Sequence, residues 1–112
     1  MRYFKESEFV MGKENVFNKM DNKLIEVLDP LRESVGEPLF ITSSFRDKEY
    51  NNSVGGSLRS QHLLRKAIDI SCNNGTLRSK IVEAALHLGL SVGVSKTFIH
   101  IDCRDSQIVF SY

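Results

Sequence analysis

Acidic and histidine side chains alternate with isoleucines in two short segments of the sequence, AIDISC and FIHIDC. Successive side chains of a β-strand point to opposite faces of a sheet, so the isoleucines and cysteines of both segments are expected to face the core. The alternation then places Asp69, His100 and Asp102 together on a single exposed face. His62 precedes Asp69 by seven residues and could reach the same place from the loop that enters the first strand.

The candidate chemistry of this face is metal binding. Two histidines and one carboxylate are the ligand set of many catalytic zinc sites, in which the fourth position stays open for water. Zinc makes this water acidic, so that a hydroxide nucleophile is available near neutral pH. The alternative is an exposed strand face with ordinary polar residues and no metal. The third histidine, His87, lies within the apolar segment AALHLGL and is expected to be an ordinary helix residue.

Two helices are predicted from apolar residues that recur at helical spacing. The first covers Asp21–Val35 and is expected to stop at Gly36, because glycine readily adopts the left-handed conformation that ends many helices. Pro30 lies inside it and should either kink the helix or divide it in two, since proline cannot donate the backbone hydrogen bond of an interior position. The second helix covers about Leu77–Leu88.

Four strands are predicted in segments rich in branched and aromatic residues, namely PLFITSSF, KAIDISC, TFIHIDC and QIVFSY. The polar segment RDKEYNNSVGGSLRS between the first two indicates a short helix or turn followed by a loop, and RDS between the last two indicates a hairpin-like turn. Helices lie mainly before and between the strands. The predicted fold is therefore an α+β domain, with a small antiparallel or mixed sheet flanked by two main helices.

Length and composition indicate one small domain over residues 1–112. Apolar residues make up 41% and charged residues 26% of the chain, and the net charge is only +1, which argues against nucleic-acid binding. The apolar stretches are too short to span a bilayer, and the N-terminal segment lacks the apolar core of a secretory signal. These features predict a soluble domain that is cytosolic or passively released. We further expect it to be a monomer.

The two cysteines, Cys72 and Cys103, follow Asp69 and His100 by three residues each. If the two strands run antiparallel with Asp69 beside His100, the cysteines diverge by about six residues, or roughly 20 Å at the usual rise. A disulfide requires Cα atoms within about 7 Å, so it could not form. A chain without an export signal also favours reduced thiols. If the strands were parallel, the same offsets would instead bring the cysteines together. We predict antiparallel strands and two reduced thiols that face the core.

Several motifs, in order along the chain, resemble the zinc D-Ala-D-Ala carboxypeptidase and phage endolysin peptidase family. This family is grouped with lysostaphin-type peptidases and the hedgehog signalling domain. Its pattern Ser-x-His-x-x-Gly-x-Ala-x-Asp, followed by a late histidine on a strand, is similar to SQHLLRKAID followed by HID. The segment ITSSFRDKEYNNSVGG is similar to the family's strand-plus-arginine segment. The likeness extends from FKESEF to IVFSY, which is nearly the whole chain.

The resemblance implies a ligand set and roles for other residues. His62, Asp69 and His100 would bind Zn²⁺, with water as the fourth ligand. Arg46 would bind the scissile carbonyl oxygen or the terminal carboxylate of the substrate and so take part in catalysis. Ser60 would support the ligand loop and the bound substrate by hydrogen bonding. The implied fold is that of the hedgehog domain and the DD-peptidases.

The chain departs from the family pattern at three positions. Arg65 replaces the glycine between the histidine and the alanine, where a long cation would either crowd the metal or point to solvent. Ser44 replaces a glycine in the arginine segment. Thr97 stands where many relatives have an acidic general base, three residues before the late histidine. Asp102 is the natural substitute, either as the base that takes the proton of the attacking water or as a carboxylate that orients His100.

The resemblance thus implies a zinc metallopeptidase that hydrolyses stem peptides or cross-links of peptidoglycan. Such a protein, similar to those of phages and prophages, would be cytoplasmic in the producing bacterium and act on the cell wall after release. The alternative is a catalytically silent, zinc-stabilised binding module, such as a structural part of a phage particle. Thr97 and Arg65 favour this alternative. A third possibility is a domain that binds no metal.

Overall fold

The first long helix lies near the start of the chain, whose computed structural model describes residues 2–47, 49, 53 and 66–112. This helix, α1 (Asn22–Val35), begins after Asp21, whose side chain accepts a hydrogen bond from the backbone N–H of Lys23 at 2.8 Å. It ends at Gly36, whose φ of 80° is the left-handed conformation expected there. The helix is continuous through Pro30, which excludes one of the two predicted alternatives, a division into two helices. Buried leucines precede and follow the proline, and their packing maintains the helix.

The second long helix, α2 (Gly75–His87), has the position predicted from the sequence. Its N-terminal cap is Asn74, whose Oδ1 accepts a hydrogen bond from the backbone N–H of Leu77 at 2.8 Å. Ile81 on its inner side is fully buried, whereas His87 is exposed to solvent. His87 is therefore the ordinary helix histidine that was expected.

Besides the two long helices, the described part of the chain contains two short 3-10 helices, Glu6–Glu8 and Phe17–Lys19, and seven short strands. Two of the strands form a small antiparallel hairpin, and the other five form a mixed sheet in which only one neighbouring pair is parallel. The strands are β1 (Val10–Met11), β2 (Glu14–Asn15), β3 (Ile41–Ser43), β4 (Ala67–Ser71), β5 (Ser91–Val94), β6 (Phe98–Asp102) and β7 (Val109–Ser111). The order in the larger sheet is β3-β4-β6-β5-β7. These elements confirm the predicted α+β fold with a mixed sheet.

The last part of the sheet differs from the prediction. The segment SVGV forms β5, which was not predicted because glycine is uncommon within strands. β5 pairs antiparallel with β6 on one side and parallel with β7 on the other. The predicted hairpin across RDS, which required β6 and β7 to be neighbours, is therefore wrong. The predicted helix or turn and loop between β3 and β4 lies largely outside the described residues.

One face of the larger sheet forms the core with α1 and α2. Ile68 and Ile70 of β4, and Ile99 and Ile101 of β6, are completely buried on this face. β4 and β6 run antiparallel, as predicted. The two cysteines that follow these strands are buried and free, which also agrees with the prediction. Neither long helix, nor any other helix among the described residues, has the length and apolarity to cross a membrane.

Candidate metal centre and active site

A single row of residues crosses the other face of the sheet. Ser43 lies opposite Asp69 in the pairing of β3 with β4, and Asp69 lies opposite His100 in the pairing of β4 with β6. His100 also lies opposite Gly93 of β5, which in turn lies beside Phe110 of β7. Residues directly opposite each other in neighbouring strands share a face. The sheet register therefore brings Asp69 and His100 together at the centre of this row.

The imidazole of His100 has a carboxylate on each of its nitrogens. Nδ1 lies 3.1 Å from Oδ1 of Asp69, and Nε2 lies 2.7 Å from Oδ2 of Asp102. The three side chains share one face, as predicted. Burial lowers the pKa of His100, but the hydrogen bonds to Asp102 and Asp69 outweigh this effect and hold the pKa above its ordinary value.

The prediction that this face is exposed is wrong. The relative exposure is 6% for Asp69, 3% for His100 and 0% for Asp102. Side chains from the edges of the face cover them: Arg104 lies over Asp102, and the ring of Phe110 lies 5.4 Å from that of His100, between centroids. Alternation along a strand predicts which side chains share a face, but it contains no information about what covers that face.

Arg46, the arginine that the sequence assigns to the substrate, lies beside Asp69. Its Nη2 is 3.4 Å from Oδ2 of Asp69, and its Nε donates a hydrogen bond to Oγ of Ser43 at 3.1 Å. The guanidinium is mostly buried. The structure thus places a fixed positive charge at the edge of the Asp69–His100 pair, on the β3 side of the sheet.

Asp102 is held by the residue two positions after it. Oδ1 accepts hydrogen bonds from the backbone N–H of Arg104 at 3.1 Å and from its Nε at 2.8 Å, while Oδ2 accepts one from Nη2 at 2.5 Å. Burial raises the pKa of Asp102, but the hydrogen bonds from Arg104 and His100 dominate and hold this pKa far below its usual range. Asp102 is therefore a carboxylate that resists protonation.

The Asp69–His100 pair fits two neighbouring ligands of a zinc ion. Tetrahedral ligands at the usual zinc distances lie roughly 3.3 Å apart, and the Nδ1–Oδ1 separation of the pair is 3.1 Å. His62, the predicted third ligand, lies outside the described residues, as do Ser60 and Arg65. Among the residues that the structure describes, no group of three or more His, Cys, Asp or Glu side chains is arranged to hold a metal.

Three residues of the site are not predicted from the sequence, namely Gly93, Arg104 and Phe110. Arg104 was assigned to a turn, although its spacing of two residues from Asp102 was a signal that both side chains lie together. Gly93 and Phe110 carried no usable signal, because β5 was not predicted and β7 was placed beside the wrong strand. Their proximity to His100 depends on the strand order.

A comparison with known families identifies the family to which the chain belongs. The sequence profile of the family Peptidase M15 matches residues 2–102. The chain belongs to the Peptidase M15 family. This confirms the resemblance to zinc D-Ala-D-Ala carboxypeptidases, and the α+β architecture is compatible with the fold of the family. No curated protein matches the sequence.

Membership of a peptidase family gives the Asp69–His100 pair a chemical context. Both residues lie within the matched segment, as do Arg46 and Asp102. Arg104 and Phe110, which contact the pair or its partner Asp102, lie beyond the last matched residue. The site is thus made of residues inside the match together with residues that follow it.

Proposed function

We propose that this protein is a zinc-dependent peptidase that hydrolyses stem peptides or cross-links of peptidoglycan. The observation that carries the proposal is the spacing of Asp69 and His100, which fits two zinc ligands in a chain of the Peptidase M15 family. We further expect a monomer that acts on the cell wall after release from a producing bacterium, as do the phage and prophage proteins that it resembles.

His62, Asp69 and His100 would hold the metal. The structure supports this assignment for the last two, and His62 is assigned from the sequence pattern alone. A bound zinc ion supplies a water of lowered pKa and polarises the carbonyl that is attacked. The protein contributes the orientation of the ligands, because Asp69 and His100 extend from strands whose register holds them side by side.

Arg46 would act on the substrate. Its guanidinium is held by Ser43 and Asp69 beside the ligand pair, so its position is set before a substrate binds. A cation at this place would attract the scissile carbonyl oxygen or a terminal carboxylate and stabilise the negative charge of the tetrahedral intermediate. Ser60 would support the ligand loop and the substrate through hydrogen bonds, as the family pattern implies.

Asp102 would orient His100 instead of accepting the proton of the attacking water. Support comes from its complete burial, its three hydrogen bonds from Arg104 and its depressed pKa. A general base works best when its pKa lies near the operating pH, whereas a histidine that binds a metal usually donates its other N–H to a carboxylate. The contact between His100 Nε2 and Asp102 has this second form.

The hydrogen bonds of Asp102 to His100 and Arg104 also favour a second candidate function. If Asp102 is unsuited to accept a proton and Thr97 replaces the usual acidic residue, the site lacks a general base among the residues considered for that role. The chain would then be a zinc-stabilised binding module that recognises a cell-wall peptide without cleaving it. This candidate has the same zinc ligands as the first, but it does not cleave the bound peptide.

The experiment uses zinc-loaded protein and purified cell-wall peptides, with products identified by mass spectrometry. Loss of a terminal alanine indicates a carboxypeptidase, and separation of cross-linked peptides indicates an endopeptidase. Stoichiometric zinc without any product supports the silent module. Absence of bound zinc contradicts both candidates. His100→Ala is the inactive reference, and His87→Ala, which changes an exposed histidine of α2, is the matched control.

A further inference from the structure

Four side chains form a closed ring of contacts that includes the imidazole of His100. Nε2 of His100 lies 2.7 Å from Oδ2 of Asp102, and the guanidinium of Arg104 binds both oxygens of Asp102. Cζ of Arg104 lies 5.6 Å from the ring centroid of Phe110, a distance at which a cation is attracted to an aromatic face. The ring of Phe110 returns to His100 at 5.4 Å between centroids. These four residues are called the His100 bracket.

Gly93 provides the space that Phe110 occupies. A Cβ atom at this position would lie 2.5 Å from both Cε2 and Cζ of Phe110. Non-bonded carbon atoms do not approach each other this closely. Gly93 is not among the described glycines with a positive φ, so its backbone conformation does not require glycine. The absence of a side chain at Gly93 lets Phe110 of β7 extend across β5 and reach His100 of β6.

The bracket selects one orientation of the imidazole. With Nε2 directed at Asp102 and the ring packed against Phe110, Nδ1 faces Asp69. A flip of the ring about its Cβ–Cγ bond would put carbon atoms at both positions, so the contacts to Asp102 and Asp69 would be lost together. The ring contact with Phe110 and the grip of Arg104 on Asp102 both oppose this flip.

We propose that Arg104 and Phe110, the latter lying over Gly93, are positioning residues that fix the His100 ring so that Nδ1 is presented beside Asp69. They act through His100 and Asp102, and neither is assigned a contact with substrate. The inference rests on the proposed function in one respect: only if the site binds zinc is Nδ1 the atom that coordinates the metal. Both residues lie beyond the segment matched by the family profile.

The first test measures zinc affinity by competition with a chromophoric chelator. Phe110→Ala, Gly93→Ala and Arg104→Gln should each weaken zinc binding by roughly 10-fold to 100-fold, the usual effect of removing a group that orients a ligand histidine. Arg104→Lys should retain more affinity than Arg104→Gln, because it keeps the charge. Phe110→Leu is a milder variant to use if Phe110→Ala does not fold.

Two matched controls separate positioning from general packing. Val109→Ala changes the neighbouring, exposed residue of β7, whose side chain points to the opposite face. Gly75→Ala introduces a Cβ whose nearest neighbouring atom is 3.9 Å away. Both should leave zinc affinity unchanged. In the double variant Gly93→Ala with Phe110→Ala, the second substitution should add little to the first, since the clash of the new Cβ is mainly with Phe110.

The second test uses the metal-free protein and measures solvent exchange of the His100 ring proton. This exchange would not change if Phe110 and Arg104 only stabilised the fold. In protein with ¹⁵N-labelled histidine, the Nε2 proton of His100 should give an NMR signal protected from solvent exchange by Asp102. Folded Phe110→Ala and Arg104→Gln should lose this protection, while Val109→Ala should keep it. If folded variants retain both the protected proton and the wild-type zinc affinity, the positioning role is overturned.

The two tests also separate this inference from the proposed function. Wild-type protein that binds no zinc contradicts the proposed function, but the protected imidazole proton still tests the bracket. Wild-type protein that binds zinc, with variants of equal affinity and equal protection, overturns the bracket and leaves the proposed function in place. Each outcome therefore supports or refutes one of the two proposals.

Discussion

The two faces of the larger sheet are both buried, but by contacts of different kinds. On the helix face, Ile99 and Ile101 are covered by apolar side chains of α1 and α2. On the opposite face, His100 and Asp102 are covered through hydrogen bonds, an ion pair with Arg104 and an aromatic ring. Apolar burial has no preferred direction, whereas a buried charge requires a partner at a defined geometry. Substitutions on the helix face should therefore change stability, and those on the polar face should change chemistry.

The largest effect is expected from His100→Ala on the polar face. The substitution removes a proposed zinc ligand, so stoichiometric zinc and all peptidase activity should be lost. Zinc in the purified protein can be measured by atomic emission, with His87→Ala as the control on the exposed side of α2. Unchanged zinc content would show that the ligand assignment is wrong.

Ile101→Ala tests the helix face of the same strand. Ile101 is completely buried, and its truncation should lower the free energy of unfolding by about 2 to 5 kcal/mol through lost burial and a new cavity. Chemical denaturation measures this change. The folded variant should keep one zinc per chain, because the polar face is untouched. Loss of zinc from a folded variant would contradict the separation of the two faces.

Arg46→Ala should reduce the catalytic rate by about 100-fold to 1,000-fold, as expected for loss of a group that stabilises an oxyanion. Zinc content should stay at the wild-type level, since Arg46 is proposed to act on the substrate. Steady-state kinetics and metal analysis of the same preparation make the comparison. Lys80→Ala removes an exposed cation of α2 and serves as the control. A variant that loses zinc would contradict the substrate role.

Asp102→Asn keeps the shape of the side chain and removes its charge. If Asp102 orients His100, zinc affinity should fall by roughly 10-fold to 100-fold. If it is instead the general base, the rate should fall by about 100-fold or more at unchanged zinc affinity. Competition with a chelator and saturating-substrate kinetics distinguish these results, and Asp105→Asn is an exposed control in the segment that follows β6.

The smallest effect is expected at the two thiols. Cys72 and Cys103 are buried and free, so a thiol reagent should modify them slowly in the native state and rapidly after unfolding. Burial raises the pKa of the Cys103 thiol, so less of the reactive thiolate is present at a given pH than in the unfolded chain. Rapid modification of the native protein would contradict the burial of the thiols. A Cys72–Cys103 crosslink in peptide mapping would contradict the antiparallel pairing of β4 with β6.

Much of the fold and part of the site could be predicted from the chain alone. Period-2 alternation in AIDISC and FIHIDC placed Asp69, His100 and Asp102 on one face, and the two strands were predicted to run antiparallel; the register bears out both. The family motifs identified the Peptidase M15 family. The roles of His62, Ser60 and the other site residues stay predictions.

What the sequence determined by itself is local: which side chains share a strand face, where α1 and α2 begin and end, and which motif the chain contains. The tertiary structure decided which strands are neighbours. Because β5 lies between β6 and β7, Gly93 stands next to both His100 and Phe110, and a face predicted to be exposed is instead buried. The physical reason is that strand order and side-chain cover arise from contacts between residues distant in sequence, which alternation within one segment does not contain.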